Sequence, residues 1–218
     1  MTGTAQPGIL ALWNDCRKGA EAEYEAWYRG EHLRERVGLP GFRFGRRLIA
    51  LDGSCPRYFS YYETASADVL TSPTYLERGA NPTPMTRNIM TNVFRNMSRT
   101  VCRRVATEGW INGPFAITVR ANVAQMALLQ TASKELSALP DRLRAELWLS
   151  AENPDEAPSV EERIRGRDAK IAGCLMVNFS DEAHAILAAR AARALLGPDV
   201  TIGTYRLFCA LDQADVTP

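Results

Sequence analysis

The order of predicted strands and helices is the feature that most constrains the fold of this chain. Apolar or alternating runs predict strands in the first half at residues 9–13, 42–51, 57–63 and 97–105. Helices are predicted from residue 20 to residue 37, where Glu, Ala, Arg and Leu dominate, and again after Ser66, which suits a helix N-cap. The resulting order, β-α-β-β-α-β, is that of a ferredoxin-like unit.

The second half repeats this order with little residue identity. Strands are predicted at residues 115–120, 143–149, 172–179 and 202–211, and helices at residues 123–139 and 181–196. The turn-rich stretch 109–114 separates the halves, so we expect one domain over residues 1–108 and a second over residues 109–218. The charged segment 152–167 contains two prolines and is expected to be exposed.

These elements predict an α+β fold. Two helices cover only one face of a four-stranded antiparallel sheet, so the other face must be buried elsewhere. The expected architecture is therefore two tandem ferredoxin-like βαββαβ domains whose antiparallel sheets pack face to face. The sequence leaves open whether such a barrel closes within one chain or between two chains, and we expect a homodimer.

Composition argues against several classes of function. With 26 basic and 25 acidic residues the formal net charge is +1, so no bulk charge attracts nucleic acid or a membrane surface. No run approaches the roughly 20 apolar residues that cross a bilayer. Residues 1–7 lack the pattern of a signal peptide, and the five scattered cysteines suit free thiols in a reducing compartment. We therefore expect a cytoplasmic protein.

One segment of the first half combines groups that could perform chemistry. Residues 27–42 predict a helix that ends at Pro40-Gly41 and continues into a strand. The segment contains His32, one of two histidines in the chain, with Glu31 and Glu35 close to it on the helix. A histidine beside carboxylates can act as a general acid or base near neutral pH. The alternative is a structural histidine at a helix end.

Further residues around this segment carry a family resemblance. Trp27-Tyr28, Glu31-His32 and Pro40-Gly41-Phe42, followed by Arg46-Arg47, resemble the EthD-like group of the dimeric α+β-barrel superfamily. The resemblance covers about residues 8–105 and includes Arg57-Tyr58, whereas the second half shares only the order of its elements. Proteins of this superfamily include cofactor-free monooxygenases, polyketide cyclases, isomerases and haem-handling proteins, so the fold does not decide the function.

The residues and the resemblance together predict a cofactor-independent enzyme for acid/base chemistry on a small hydrophobic or aromatic carbonyl compound in a barrel pocket. Isomerase, cyclase, lyase and monooxygenase reactions are the types implied. His32 would be the acid or base, oriented by Glu31 or Glu35. Arginines would hold an anionic oxygen and tyrosines would line the pocket. The expected substrate-binding residues are Tyr28, Arg46, Arg47, Tyr58, Tyr61 and Tyr62.

Each assignment has a structural alternative. The arginines at alternating strand positions, among them Arg99 and Arg103, could form ion pairs or a solvated face, and the tyrosines could be core residues. The chain could also be a non-catalytic module that binds a small molecule or a protein. No metal site is predicted, because two distant histidines and scattered cysteines do not form a ligand set. No cofactor is expected, although the superfamily leaves haem open.

Overall fold

The computed structural model describes residues 6–51, 53–54, 56–152 and 158–216. The strands are β1 (Gly8–Cys16), β2 (Phe42–Ala50), β3 (Tyr58–Thr64), β4 (Phe94–Gly109), β5 (Phe115–Ala121), β6 (Arg142–Ser150), β7 (Gly173–Phe179) and β8 (Thr201–Asp212). The α-helices are α1 (Glu21–Trp27), α2 (Leu33–Val37), α3 (Pro73–Ala80), α4 (Pro84–Asn88), α5 (Met126–Ser137), α6 (Val160–Arg165) and α7 (Glu182–Leu196). Every strand predicted from the sequence is therefore present, with shifted ends.

The strands form one closed antiparallel barrel in the order β1-β3-β2-β8-β5-β7-β6-β4. Within it the first half has the order β4-β1-β3-β2 and the second half the equivalent order β8-β5-β7-β6. The outer strands of the two halves pair with each other, β2 with β8 and β4 with β6, so the barrel closes within a single chain. The two sheets are thus joined along both edges as well as facing each other, and closure leaves no open sheet edge among the described strands.

The interior of the barrel is a packed core. Barrels of eight strands have an interior just wide enough for side chains to fill. The ring centroids of Trp13 and Phe59 lie 4.8 Å apart, and those of Phe59 and Tyr205 lie 5.4 Å apart. Towards one end, Arg104 lies 2.5 Å from a carboxylate oxygen of Glu63 and 3.1 Å from one of Glu146. Aromatic packing and ion pairs therefore occupy the volume where the sequence predicted a pocket.

Helices cover the outer face of the barrel. Tyr24, Trp27 and Val37 from α1 and α2 pack on the first half, and alanines of α7 together with Leu129 of α5 pack on the second. This arrangement gives each half its own apolar layer outside the shared barrel core. Among the described helices, none is both long and apolar enough to cross a membrane.

Two local features of the first half differ from the expectation. A π-helical turn, Tyr28–His32, interrupts the helix predicted over residues 20–37. A register shift between Phe42 and Phe44 places Phe42 in the layer under the helices, whereas Phe44 packs against the barrel core. A β-bulge adds one residue and so reverses the alternation of faces. Phe42 and Phe44 therefore lie on opposite faces of β2, whereas regular alternation in the predicted strand would place them on one face.

The charged segment 152–167, which precedes β7, was expected to be exposed, and its described part differs from that expectation. In its described part, Ser159 and Glu162 form a reciprocal capping box that begins α6. The helix then carries Glu161 into the protein, where this residue is only 8% exposed. The expectation of exposure is therefore wrong for α6, because a charged run can be buried when its charges find partners.

Candidate functional site

The predicted site residues fall on opposite faces of β2 and β3. Successive residues of a strand point to opposite faces, so Arg46 and Arg47 diverge. The group on the outer face, beneath the first helical layer, comprises Tyr28, His32, Arg47, Tyr58 and Tyr62. The group on the inner face comprises Arg46 and Tyr61. One ligand cannot contact both groups, because the sheet lies between them.

Arg47 is enclosed by aromatic rings in the outer group. Its guanidinium carbon lies 4.3 Å from the ring centroid of Tyr24, 3.9 Å from that of Tyr28 and 4.3 Å from that of Tyr58. The guanidinium donates to Tyr24 Oη at 3.1 Å and to Glu25 Oε1 at 3.0 Å. Burial opposes the charge, but Tyr24, Tyr28 and Glu25 outweigh it and raise the pKa of Arg47. Arg47 thus fastens α1 to the sheet.

The inner group belongs to the barrel core. The guanidinium carbon of Arg46 lies 4.7 Å from the ring centroid of Phe44. Tyr61 stacks on Phe59 at 5.5 Å between centroids and meets Trp148 at 5.4 Å. Burial raises the pKa of Tyr61 to about 12, so its phenol stays protonated. These side chains pack against each other in the space that a ligand would need.

His32 lies at the end of the π-helical turn, and such turns are frequent at functional sites. Its ring centroid is 4.3 Å from that of Trp27 and 5.4 Å from that of Tyr28. The Nδ1 atom is buried and has no hydrogen-bond partner among the described residues. Burial, with a further contribution from Arg36, lowers the pKa of His32 well below its usual value of 6.5. The imidazole is therefore neutral at physiological pH.

The two acids beside His32 bind other partners. Glu31 Oε1 accepts hydrogen bonds from Thr83 Oγ1 at 2.5 Å and from Thr86 Oγ1 at 2.7 Å. Against the effect of burial, these hydrogen bonds lower the pKa of Glu31. Glu35 forms an ion pair with Arg78 of α3. The hydrogen bonds of Glu31 and the ion pair of Glu35 thus tie the first helix to the segment around α3 and α4, and none of these contacts involves His32.

The pKa values of the two histidines should depart from the usual value in opposite directions, downwards for His32 and upwards for His184. His184 Nδ1 lies 2.5 Å from Asp181 Oδ2, and this contact raises the pKa of His184. We expect the His184 imidazole signal in proton NMR to titrate above pH 6.5, and the His32 signal to keep its neutral position well below that pH. The variant His184→Gln assigns the signals. A His32 signal that titrates near pH 6.5 would show that the ring is solvated.

A buried polar network lies next to His32 and was not predicted. Arg36 Nη2 lies 2.5 Å from Glu161 Oε1, and the Arg36 guanidinium carbon lies 5.5 Å from the ring centroid of Tyr75. Tyr75 Oη in turn accepts a hydrogen bond from Arg99 Nη2 at 3.0 Å. Although burial opposes ionisation, Arg36, Arg99 and Arg165 lower the pKa of Glu161 to about 2. The network joins α2, α3, β4 and α6.

A cavity of about 950 Å³ opens beside this network, on the outer face of β4 between α3 and α6. We call it the flank cavity. Its volume lies near the upper end of the range for small-molecule sites, about 300–1,000 Å³. Its apolar wall includes Ala67, Leu70, Val101, Ala151, Val160 and Ile171, and its polar wall includes Tyr75, Arg99, Glu161 and Asp168. Arg99 and Arg103, two of the arginines noted in the sequence, line this cavity, whereas none of the predicted catalytic and substrate-binding residues does.

The flank cavity could have been anticipated only in part. Arg99 stands at an alternating strand position, and a charged residue in such a pattern is a recognisable signal. Tyr75 and Glu161 come from two helices that are distant in sequence, α3 and α6. Only the packing of α3 and α6 against β4 brings these three side chains together.

The described residues do not fit a metal or haem site. No group of three or more His, Cys, Asp or Glu side chains that could hold a metal ion is found in the described ranges. His32 is stacked on Trp27, His184 is bound to Asp181, and neither histidine lines the flank cavity. Among the described lining residues of the flank cavity, no histidine could therefore be an axial ligand of haem.

Comparison with known proteins gives the fold. No protein-family model and no curated protein sequence matches the chain. Among solved structures, an anthrone oxidase-like protein matches at 11% identity over 99% of this chain and 96% of the other, with a TM-score of 0.60. A proposed monooxygenase from Fusobacterium nucleatum subsp. nucleatum matches at 9% identity over 95% of each chain, with a TM-score of 0.54.

A third structure agrees with these two. Chlorite dismutase from Candidatus Nitrospira defluvii matches at 10% identity over 99% of this chain and 94% of the other, with a TM-score of 0.50. Likeness at such identities carries the fold and leaves the activity open. The closer assignment to the EthD-like group stays a prediction. The chain therefore shares its closed α+β-barrel fold with these three proteins.

Proposed function

We propose that this chain is a cofactor-independent enzyme that transfers a proton on a small hydrophobic or aromatic carbonyl compound bound in the flank cavity. One observation carries the proposal: a hydrogen-bonded Tyr75–Arg99 pair faces a largely apolar cavity of about 950 Å³. Isomerisation, cyclisation, elimination and oxygenation all begin or end with such a proton transfer. The names of the structural relatives do not carry the proposal.

The Tyr75–Arg99 pair would stabilise an oxyanion. Because Arg99 donates to the Tyr75 oxygen, the phenol proton of Tyr75 remains available to a ligand oxygen. Burial opposes the charge of Arg99, but Tyr75 and Glu161 outweigh it and raise the pKa of the guanidinium. A fixed donor and a fixed cation in an apolar cavity stabilise an enolate or phenolate far better than water does.

Two groups are candidates for the proton acceptor. Asp168 lines the flank cavity, and burial raises the pKa of its carboxyl, although Arg165 binds it through two hydrogen bonds at 3.0 and 2.5 Å. His32, the acceptor predicted from the sequence, is not among the residues that line the cavity. We assign the role to Asp168 because it is among the residues that line the cavity; its side chain is 0% exposed in the pair with Arg165, so it would accept the proton once Arg165 releases it to the ligand. Loss of turnover in His32→Gln with full turnover in Asp168→Asn would reverse this assignment.

Native mass spectrometry of the protein purified under mild conditions tests the proposal. We expect a co-purified compound that carries a carbonyl or acidic oxygen, and its relatives then form the panel for turnover. The matched control is Ala151→Phe, which fills the cavity from the end of β6 and should lose the compound. A compound retained in full by this variant would place the ligand elsewhere.

The alternative function is non-catalytic binding in the same cavity. It is favoured because two acids of the site already form ion pairs, Glu161 with Arg36 and Asp168 with Arg165. If the protein binds compounds of the panel and releases every one of them unchanged, the function is non-catalytic binding.

The domain boundaries and the oligomeric state form part of the proposal. We propose that residues 1–108 and 109–218 are two ferredoxin-like units, which the equivalent strand orders of the halves support. We also propose a homodimer, supported by the exposed side chains of Trp110 and Ile111, which are 93% and 62% exposed. Sedimentation velocity of the protein and of Trp110→Ser checks this, and a monomer in both would contradict it.

A further inference from the structure

The floor of the flank cavity contains three residues of β4, in which two cations flank an apolar side chain. Arg99, Val101 and Arg103 occupy alternate positions of the strand, so their side chains point to the same face. All three line the cavity, and we call them the β4 row. Because a strand rises about 3.3 Å per residue, the Cα atoms of Arg99 and Arg103 stand about 13 Å apart. The function proposed above uses only the Arg99 end of this row.

The two cations of the β4 row differ in burial and in their partners. Arg99 is 8% exposed, and its guanidinium donates to Tyr75 Oη at 3.0 Å and lies 3.8 Å from Glu152 Oε1. Arg103 is exposed, and in the described part of the chain it forms no ion pair. The row therefore runs from a buried cation held by the chain to an exposed cation whose charge is available to a ligand.

The space between the two cations is apolar. Val101, in the middle of the row, is 7% exposed. The backbone N–H of Ala151 donates to the carbonyl oxygen of Val101 at 2.8 Å, so the small side chain of Ala151 stands beside it. Leu70 and Val160 belong to the same apolar wall. A hydrophobic or aromatic span of a ligand suits this space, because a polar span would leave its own groups without hydrogen bonds there.

We propose that the substrate of the flank cavity also carries a carboxylate, which Arg103 binds while the carbonyl or phenolic oxygen lies at the Tyr75–Arg99 pair. This inference rests on the function proposed above and adds the class of compound, a hydrophobic or aromatic carbonyl compound with an acidic group at its far end. A guanidinium presents paired donors that match both oxygens of a carboxylate. Because Arg103 is exposed, the acid stays partly solvated while the apolar span is buried.

Other charged residues of the lining are placed less well for this role. Arg163 and Arg167 are exposed too, but they belong to α6 and the segment after it, outside the β4 row. Asp68 is an exposed acid of the lining, and its carboxylate accepts a hydrogen bond from Ser66 Oγ at 3.4 Å. Arg103 is thus the cation that a ligand lying along β4 reaches from the buried end of the row.

Titration calorimetry with three rigid probes tests this inference. The trans form of para-hydroxycinnamate holds a phenol and a carboxylate at opposite ends, its methyl ester keeps the shape without the charge, and ortho-hydroxycinnamate brings the two oxygens close together. We expect the para acid to bind about fivefold or more tightly than its ester, and this ratio to fall to about one in Arg103→Met. The matched control is Arg190→Met, which removes the same charge from an exposed position of α7 and should keep the ratio.

The outcomes separate this inference from the proposed function. Equal binding of the para acid and its ester overturns the role of Arg103, and so does a preference for the acid that survives in Arg103→Met, which would assign the carboxylate to Arg163 or Arg167. If ortho-hydroxycinnamate loses as much affinity in Arg103→Met as the para isomer does, the arrangement along β4 is wrong. Absence of binding by all three probes also overturns the inference.

Two further variants complete the experiment. Ala151→Phe should abolish binding of the acid and the ester alike, because it fills the cavity itself. Full binding of both probes in Ala151→Phe overturns the flank cavity as the site, and with it the proposed function, whereas loss of both with equal affinities in the unaltered protein overturns only the role of Arg103. If Arg103→Met does not fold, Arg103→Gln replaces it, since glutamine also removes the charge.

Discussion

The variant Glu161→Gln is expected to lower the free energy of unfolding by about 3–5 kcal/mol, the range for removing one partner of a buried ion pair. The Arg36–Glu161 ion pair is buried, since the side chain of Arg36 is 5% exposed and that of Glu161 is 11% exposed. Without the carboxylate, the charge of Arg36 remains buried between α2 and α6 with no counter-charge at 2.5 Å. Urea denaturation followed by circular dichroism measures the change.

The control for this variant is Glu135→Gln, an exposed glutamate of α5, which should change stability by less than about 0.5 kcal/mol. A double variant, Arg36→Met with Glu161→Leu, replaces both charges by apolar groups and should recover much of the loss. If Glu161→Gln behaves like the exposed control, α6 does not dock as described.

The same pair predicts the pH dependence of stability. The pKa of Glu161 is lowered from 4.5 to about 2 in the folded protein, chiefly by Arg36 against the opposing effect of burial. Its contribution is therefore complete above about pH 4.5 and is lost as the pH falls towards 2. The unfolding free energy of Glu161→Gln should fall less steeply over this window than that of the unaltered protein. Equal slopes would contradict the assignment.

The variant Tyr75→Phe is expected to reduce kcat by about 10²–10³-fold on a substrate from the panel, with a small change in KM. The lost hydroxyl is the group that donates to the developing oxyanion, so its removal affects the transition state more than the bound substrate. The phenyl ring remains beneath Arg36, at 5.5 Å from its guanidinium carbon, so the local packing should persist. Steady-state kinetics and a thermal unfolding curve check both statements.

The matched control for Tyr75→Phe is Tyr61→Phe, which removes a phenol from the barrel core. Tyr61 was predicted to bind substrate, yet it packs between Phe59 and Trp148. We expect full turnover in Tyr61→Phe. If this variant loses activity and Tyr75→Phe keeps it, the barrel interior is the active site and the flank cavity is not.

The parts of the fold that follow from local pattern were predictable. Alternation of apolar residues and helix-forming composition predicted the strands and the main helices, and their order predicted the α+β architecture. The β-bulge near Phe42 was not predictable from the alternation of apolar and polar residues. One inserted residue reverses the faces of all residues beyond it, and alternation does not show where such an insertion occurs. The π-helical turn at Tyr28–His32 was not predictable either, because helix-forming composition does not distinguish a π-helical turn from an α-helical one.

The candidate site was harder to predict than the fold. His32, Glu31 and Glu35 stand close together in sequence, but the contacts of the acids go to Thr83, Thr86 and Arg78. A spacing of three or four residues allows two side chains on a helix to contact each other. It does not ensure that contact, because partners from other elements compete for the same side chains.

The sequence by itself determined the two sets of strands and helices and the need to bury one face of each sheet, because both depend on short-range pattern and composition. The tertiary structure decided how that face is buried. Pairing of β2 with β8 and of β4 with β6 closes the barrel within one chain and fills it with aromatic side chains. It also placed Tyr75, Arg99 and Glu161 around one cavity. Those contacts join residues far apart in the chain, so only the packed structure brings them together.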